Sequence, residues 1–127
     1  DLSASTPRLR REQVAGMNIH YIMWSLDYFL DAQQRLGFKT IELWAAEPHV
    51  TLDHTGYFEA DELRRKIESR GLSGSSLCPE NVVYPWQYAA RKPLHAQRSL
   101  AYFKHGIELA EVLGGVQILV QIAALRP

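Results

Sequence analysis

The sequence predicts an α/β fold with a parallel βαβαβαβ order, and three observations carry that prediction. Apolar runs short enough for strands alternate with longer segments of helical period. Each helical segment stops at a glycine, Gly37, Gly71 or Gly114, and a strand-like run follows within a few residues. The connections after the second and third strands are long and polar, whereas those after the helices are short. Right-handed crossovers make such strands parallel and put every long loop at their carboxyl ends. Functional groups collect at that end of a parallel sheet.

Residues 1–12 hold Ser, Thr, Pro and Arg without an apolar period and read as a leader or loosely held arm. Residues 13–20 read as the first strand, with Val14, Met17 and Ile19 as its apolar members. Residues 21–24 form a loop or strand extension, and Ser25 is placed to cap the first helix. In that helix Leu26, Phe29, Leu30 and Leu36 fall near one face. Residues 40–44, Thr-Ile-Glu-Leu-Trp, give the second strand. The loop 45–58 carries Glu47, His49, Asp53, His54 and Tyr57, and loops of this length in compact domains are often functional. A second helix over 59–70 turns Ala60, Leu63 and Ile67 to the core and Glu62, Arg64, Arg65, Glu68 and Arg70 to water. The third strand, 72–78, is rich in small residues, which signals crowded packing or the close approach of a ligand. After a second long loop, 79–93, the third helix spans 94–113 with an apolar stripe of Leu100, Phe103, Ile107 and Ala110. Residues 116–122 give the fourth strand.

The chain has 127 residues, enough for one domain with a core. Its 14 basic and 14 acidic side chains cancel, which argues against nucleic acid or an anionic membrane as partner. No apolar run approaches the roughly 18–20 residues of a membrane helix. One cysteine, Cys78, allows no internal disulfide and points to the cytoplasm. Dinucleotide-fold, phosphate-loop, zinc-protease and nucleophile-elbow motifs do not occur.

The candidate functional residues follow from position. Glu42 lies within an apolar strand, where a carboxylate is costly to bury without a role or a partner. Trp44 ends the same strand and offers either rim packing or a face for a sugar. His49 follows Pro48 on the carboxyl side, where an imidazole can donate or accept. Glu80, with Asn81 and Tyr84, supplies acceptors and donors suited to a polyhydroxylated ligand. His54 is a weaker candidate, His105 reads as a surface residue, and Cys78 as a small buried one.

The run Gly37-Phe38-Lys39-Thr40-Ile41-Glu42-Leu43-Trp44, then Pro48-His49, then Pro79-Glu80-Asn81 and Tyr84-Pro85, resembles the sugar phosphate isomerase/epimerase family of xylose isomerase-like (β/α)8 TIM barrels. The resemblance implies that the chain is the amino-terminal half of such a barrel, strands one to four over residues 13–127, since a whole barrel takes roughly 250 residues. It implies a metal-dependent isomerase or epimerase moving a proton next to a carbonyl through an enediolate. The family's divalent metal (Mn, Mg, Co or Zn) is held by Glu, Asp, His and Glu of later strands, so the resemblance assigns no metal ligand and no catalytic residue to this chain. It assigns Glu42, Trp44, His49, Glu80 and Tyr84 to the substrate wall, with a carbohydrate as the substrate of the full-length enzyme. The half-barrel by itself is expected to be inactive and to associate as a homo-oligomer. A second reading is a small non-catalytic α/β binding or interaction module.

Overall fold

A computed structural model describes residues 9–80, 86 and 90–120. The sheet runs β1 (Gly16–Met17), β2 (Thr40–Ala45), β3 (Ser73–Pro79) and β4 (Gln117–Ile118), in that spatial order and parallel throughout. Between them lie α1 (Leu26–Arg35), α2 (Ala60–Glu68) and α3 (Pro93–Val112). This is the βαβαβαβ order read from the sequence, and it is the arrangement of half a (β/α)8 barrel.

The three joints are built alike. Ser25 caps α1 by accepting a hydrogen bond from the Tyr28 amide at 3.1 Å. At the other end Gly37 takes φ +77°, and Gly71 and Gly114 take +67° and +103° after α2 and α3. Each joint closes with an amide reaching back past the glycine: Phe38 to Gln33, Leu72 to Ile67 and Gly115 to Ala110. This closure satisfies the last helical carbonyls and turns the chain into the next strand.

Side-chain parity divides the sheet into two faces. Ile41, Leu43, Ala45 and Leu77 face the helices and join Phe29, Leu30, Leu63, Ile67, Tyr102 and Leu109 in the main core. Trp44, Ala46 and Cys78 form a second cluster on the opposite, helix-free face, with Met17 and Ile19 against it. Alternation along a strand enforces this division.

Four expectations need correction. The first strand is far shorter than residues 13–20, because Arg11–Gln13 and Asn18–Tyr21 are 3-10 turns. Gly16 is needed where the strand exists: a Cβ there would lie 1.9 Å from Gln33 Oε1 on α1. On α3 the buried row is Ser99, Tyr102, Gly106, Leu109 and Ala110, whereas Leu100 and Ile107 are 54% and 47% exposed. Gly106 decides this, since its missing side chain lets α3 sit against Pro79. Arg70 does not face water freely; it donates to Asp31 at 2.6 Å and to Asp27 at 2.9 Å, while Lys66 reaches Asp27 at 3.1 Å, clasping α2 to α1. His105 is half-buried, with Nδ1 3.2 Å from the Asp53 carbonyl.

The fourth strand pairs through Ser76 with Gln117 and Leu77 with Ile118, and the Leu119 amide still donates to Leu77 at 2.8 Å. The rest of the predicted run 116–122 includes positions outside the described residues. In β3 the small residues serve packing: a Cβ on Gly74 would meet Val116 at 2.8 Å. Among the described residues no helix is long and apolar enough to cross a membrane.

Candidate functional site

The helix-free face at the carboxyl ends of β2 and β3 gathers the chemistry. Glu42 pairs in register with Met17 on one side and Ser76 on the other. It is half-buried and sits below the rim rather than at the strand end. Two residues on, Trp44 pairs with Cys78, and two residues beyond Cys78 comes Glu80. A carboxylate inside an apolar strand is thus explained: it points away from the helices, on the side where Ser76 and Gln117 also lie.

Trp44 is 9% exposed and Glu80 7%. The indole Nε1–H donates to Glu80 Oε2 at 2.6 Å, a charge-assisted bond in a buried setting. It fixes the indole across the β2–β3 boundary and orients the carboxylate. Cys78 lies between them at 1% exposure. Burial first, then the negative charges of Glu42 and Glu80, push its thiol up to about 11. A thiol so placed is no nucleophile at neutral pH.

His49 is buried beside this cluster. Its Nδ1 is 3.0 Å from Asn18 Nδ2 and its Nε2 is 2.8 Å from the Trp24 carbonyl. Both ring nitrogens are therefore engaged within the protein. Asn18, wholly buried, also bonds both main-chain groups of Trp44. Sequence reading missed Asn18; its one signal was a polar residue between Met17 and Ile19 at the end of the first strand.

The loop after β2 spends much of its polarity on itself. Asp53 Oδ1 accepts from the Thr55 hydroxyl and amide, both at 2.6 Å, and from the Gly56 amide at 3.2 Å. The Thr55 side-chain bond foremost holds the Asp53 carboxyl below its ordinary range. Glu47 accepts from Thr51 at 2.6 Å. His54 lies 5.2 Å from the Trp86 ring, and Trp86 stacks on Tyr102 at 4.8 Å with 9° between planes. Tyr84 and Asn81 lie outside the described residues.

Among the described residues, hollows of about 270 and 390 Å³ lie against α2, the first of them lined by Trp24 and His49, and two more lie at opposite ends of the sheet. A cavity of about 200 Å³ opens at the carboxyl ends, lined by Ala45, Ala46, Leu52, Glu80, Trp86 and Tyr102 among others. A groove of about 520 Å³ lies at the other end of the sheet, between the end of α2, the start of β3 and the Gly114-Gly115 turn. The larger groove has the helix-terminating glycines for a wall and lies at the end of the sheet associated with stability. The smaller cavity joins Glu80 to the Trp86 and Tyr102 rings of the helix-side core, and Glu80 is its link to Trp44 on the helix-free face.

Among the described residues no group of three or more His, Cys, Asp or Glu side chains is placed to hold a metal ion. The resemblance puts the ligands of the divalent metal on later strands, outside these residues. What the site can do with its own groups is accept hydrogen bonds at Glu80 and offer ring faces and apolar wall to C–H surfaces.

Comparison with known proteins bears on this geometry. The model of the family described as xylose isomerase-like TIM barrel matches residues 30–126. No curated protein and no solved structure matches.

Proposed function

The chain belongs to the xylose isomerase-like TIM barrel family, and on that premise we propose that it forms the substrate wall of a sugar isomerase or epimerase. The reaction in this reading removes a proton next to a carbonyl and returns it through an enediolate. The observation that carries the proposal is the 2.6 Å bond joining Trp44 to Glu80, on the sheet face that Glu42 shares. In a closed barrel that face lines the interior, and its carboxyl end is the mouth of the site.

The proposed roles are as follows. Glu80 keeps a fixed acceptor for sugar hydroxyls, because the Trp44 indole holds one of its oxygens. Trp44 supplies the apolar wall, Glu42 a second carboxylate deeper in the barrel, and His49 shapes the rim. Tyr84 completes the wall in this reading. We place the divalent metal (Mn, Mg, Co or Zn) on the barrel's remaining strands and derive no step through it. The strand-end and loop motifs resemble those of fructoselysine 3-epimerase, so the proposed substrate is a ketose or ketose phosphate. We propose further that the 127-residue chain alone turns over no sugar, that it self-associates, and that it works in the cytoplasm.

Solvent deuterium tests the reaction. The complete barrel, supplied with Mn²⁺ and a panel of ketoses in D2O, should place deuterium on the carbon beside the carbonyl. Glu80→Ala should raise KM by roughly 10–100-fold, the loss of a charged contact to bound hydroxyls. Absence of exchange with every ketose and ketose phosphate, or an unchanged kcat/KM in Glu80→Ala, would refute the reading.

A further inference from the structure

We propose that Asn18 is a positioning residue: its side-chain amide replaces a missing peptide group of β1 and holds His49 as the Nε2–H tautomer, so that the histidine anchors the loop carrying Trp24. The sheet has a gap beside the end of β2. β1 pairs with β2 only through Gly16 with Ile41 and Met17 with Glu42. At Asn18 the main chain leaves the sheet for the 3-10 turn Asn18–Tyr21. Farther along β2, the Trp44 peptide has no β1 main chain to meet. A buried peptide without partners is costly.

The Asn18 carboxamide fills that place. Oδ1 accepts from the Trp44 amide at 2.7 Å and Nδ2 donates to the Trp44 carbonyl at 3.1 Å. These two bonds fix the amide's orientation, because the flipped form would set donor against donor and acceptor against acceptor. Nδ2 carries two hydrogens, and the second points to His49 Nδ1 at 3.0 Å. His49 Nδ1 must therefore present its lone pair. The ring's hydrogen then lies on Nε2, which donates to the Trp24 carbonyl at 2.8 Å.

The chain of bonds joins three segments that share no local sequence: the end of β1, the end of β2 and the loop before α1. Trp24 itself stacks on Tyr28 with centroids 6.1 Å apart and is half exposed. His49 thus fixes the main chain of Trp24, with which it lines a hollow of about 270 Å³ against α1 and α2, and Asn18 fixes both His49 and the main chain of Trp44. That this arrangement serves substrate positioning rests on the isomerase or epimerase reading; the tautomer does not.

Long-range ¹H–¹⁵N correlation of the histidine rings reads the tautomer directly. In the purified protein at neutral pH, His49 should show a protonated Nε2 and an unprotonated Nδ1. Asn18→Asp, equal in size, replaces both donor hydrogens by an acceptor and should put a proton on Nδ1. In the complete barrel, His49→Gln should raise ketose KM by about tenfold while kcat falls far less. An Nδ1–H ring or a doubly protonated ring in the unsubstituted protein overturns the assignment, and that result does not depend on how Asn18→Asp folds. A roughly hundredfold loss of kcat at unchanged KM in His49→Gln would make the residue a proton carrier and overturn its anchoring role. The predicted tautomer in a barrel that exchanges no ketose proton would support the assignment and remove only the proposed reaction.

Discussion

Removing the indole N–H of Trp44 should destabilise the protein through one identifiable bond. Trp44→Phe keeps an aromatic ring in the buried cluster with Ala46 and Cys78 but loses the 2.6 Å donor to Glu80. Hydrogen bonds to charged groups contribute about 1.5–3 kcal/mol, and this one is shielded from water at both ends. The smaller ring adds a modest packing loss of about 1 kcal/mol. The expected total is about 2.5–4 kcal/mol. Combining Trp44→Phe with Glu80→Leu, which offers no acceptor, isolates the bond, because the ring loss appears on both sides of the cycle and cancels. The coupling should be about 1.5–3 kcal/mol. At a urea slope of about 2 kcal/mol/M, Trp44→Phe should lower the midpoint by roughly 1–2 M, followed by far-UV circular dichroism. A coupling below about 0.5 kcal/mol would show that the carboxylate and indole do not depend on each other, and the fixed-acceptor role of Glu80 would fall with it.

Further expectations concern the frame around the site. Gly16→Ala should cost about 1–3 kcal/mol by overpacking against Gln33, and Gln33→Ala should restore much of that loss in the urea midpoint of the double variant. The clasp between α1 and α2 should weaken in acid. The hydrogen bond from Lys66, aided by the Lys66 and Arg70 charges, lowers the Asp27 carboxyl, so its stabilisation is present above the usual carboxylate range and lost as pH falls through the depressed value. The Asp27 side chain is 45% exposed, so screening keeps the contribution below about 1 kcal/mol. Asp27→Asn should accordingly flatten the acid limb of a stability–pH curve, and an unchanged limb would exclude the clasp as its cause. Cys78, with its thiol at about 11, should resist thiol reagents at pH 8 until denaturant unfolds the protein; labelling of the native state at the rate of a free thiol would contradict its burial. The self-association proposed above should weaken in sedimentation velocity for Leu100→Ser with Ile107→Ser, two large apolar residues exposed on α3.

The parts of the fold that depend on local chemistry were legible. Glycines at helix ends, Ser25 at a helix start and the alternation in Thr40–Ala45 state their own conformations. The parallel order follows from them. What failed to show depends on partners far away in the chain. The first strand looked longer because nothing local reveals that an Asn18 side chain continues the ladder to Trp44. The buried row of α3 was misplaced because the helix carries large apolar residues on neighbouring rows. Period alone cannot choose between Leu100–Ile107 and Tyr102–Leu109; the fit of Gly106 against Pro79 chooses. Arg70 resembled any solvated arginine because Asp27 and Asp31 lie on another helix. For the site, position along the chain put Trp44, His49 and Glu80 toward the carboxyl side, but the bond between Trp44 and Glu80 and the double engagement of His49 required the folded chain.

The direct measurement of the central claim is a map of where a ketose touches this protein. In ¹H–¹⁵N spectra recorded during titration, the Trp44 indole signal and the amides of Ala45, Ala46 and Glu80 should move together and saturate. Movement confined to Ser73, Gly74, Val116 and Gln117, around the larger groove at the opposite end of the sheet, would place the ligand on the wrong side and contradict the account.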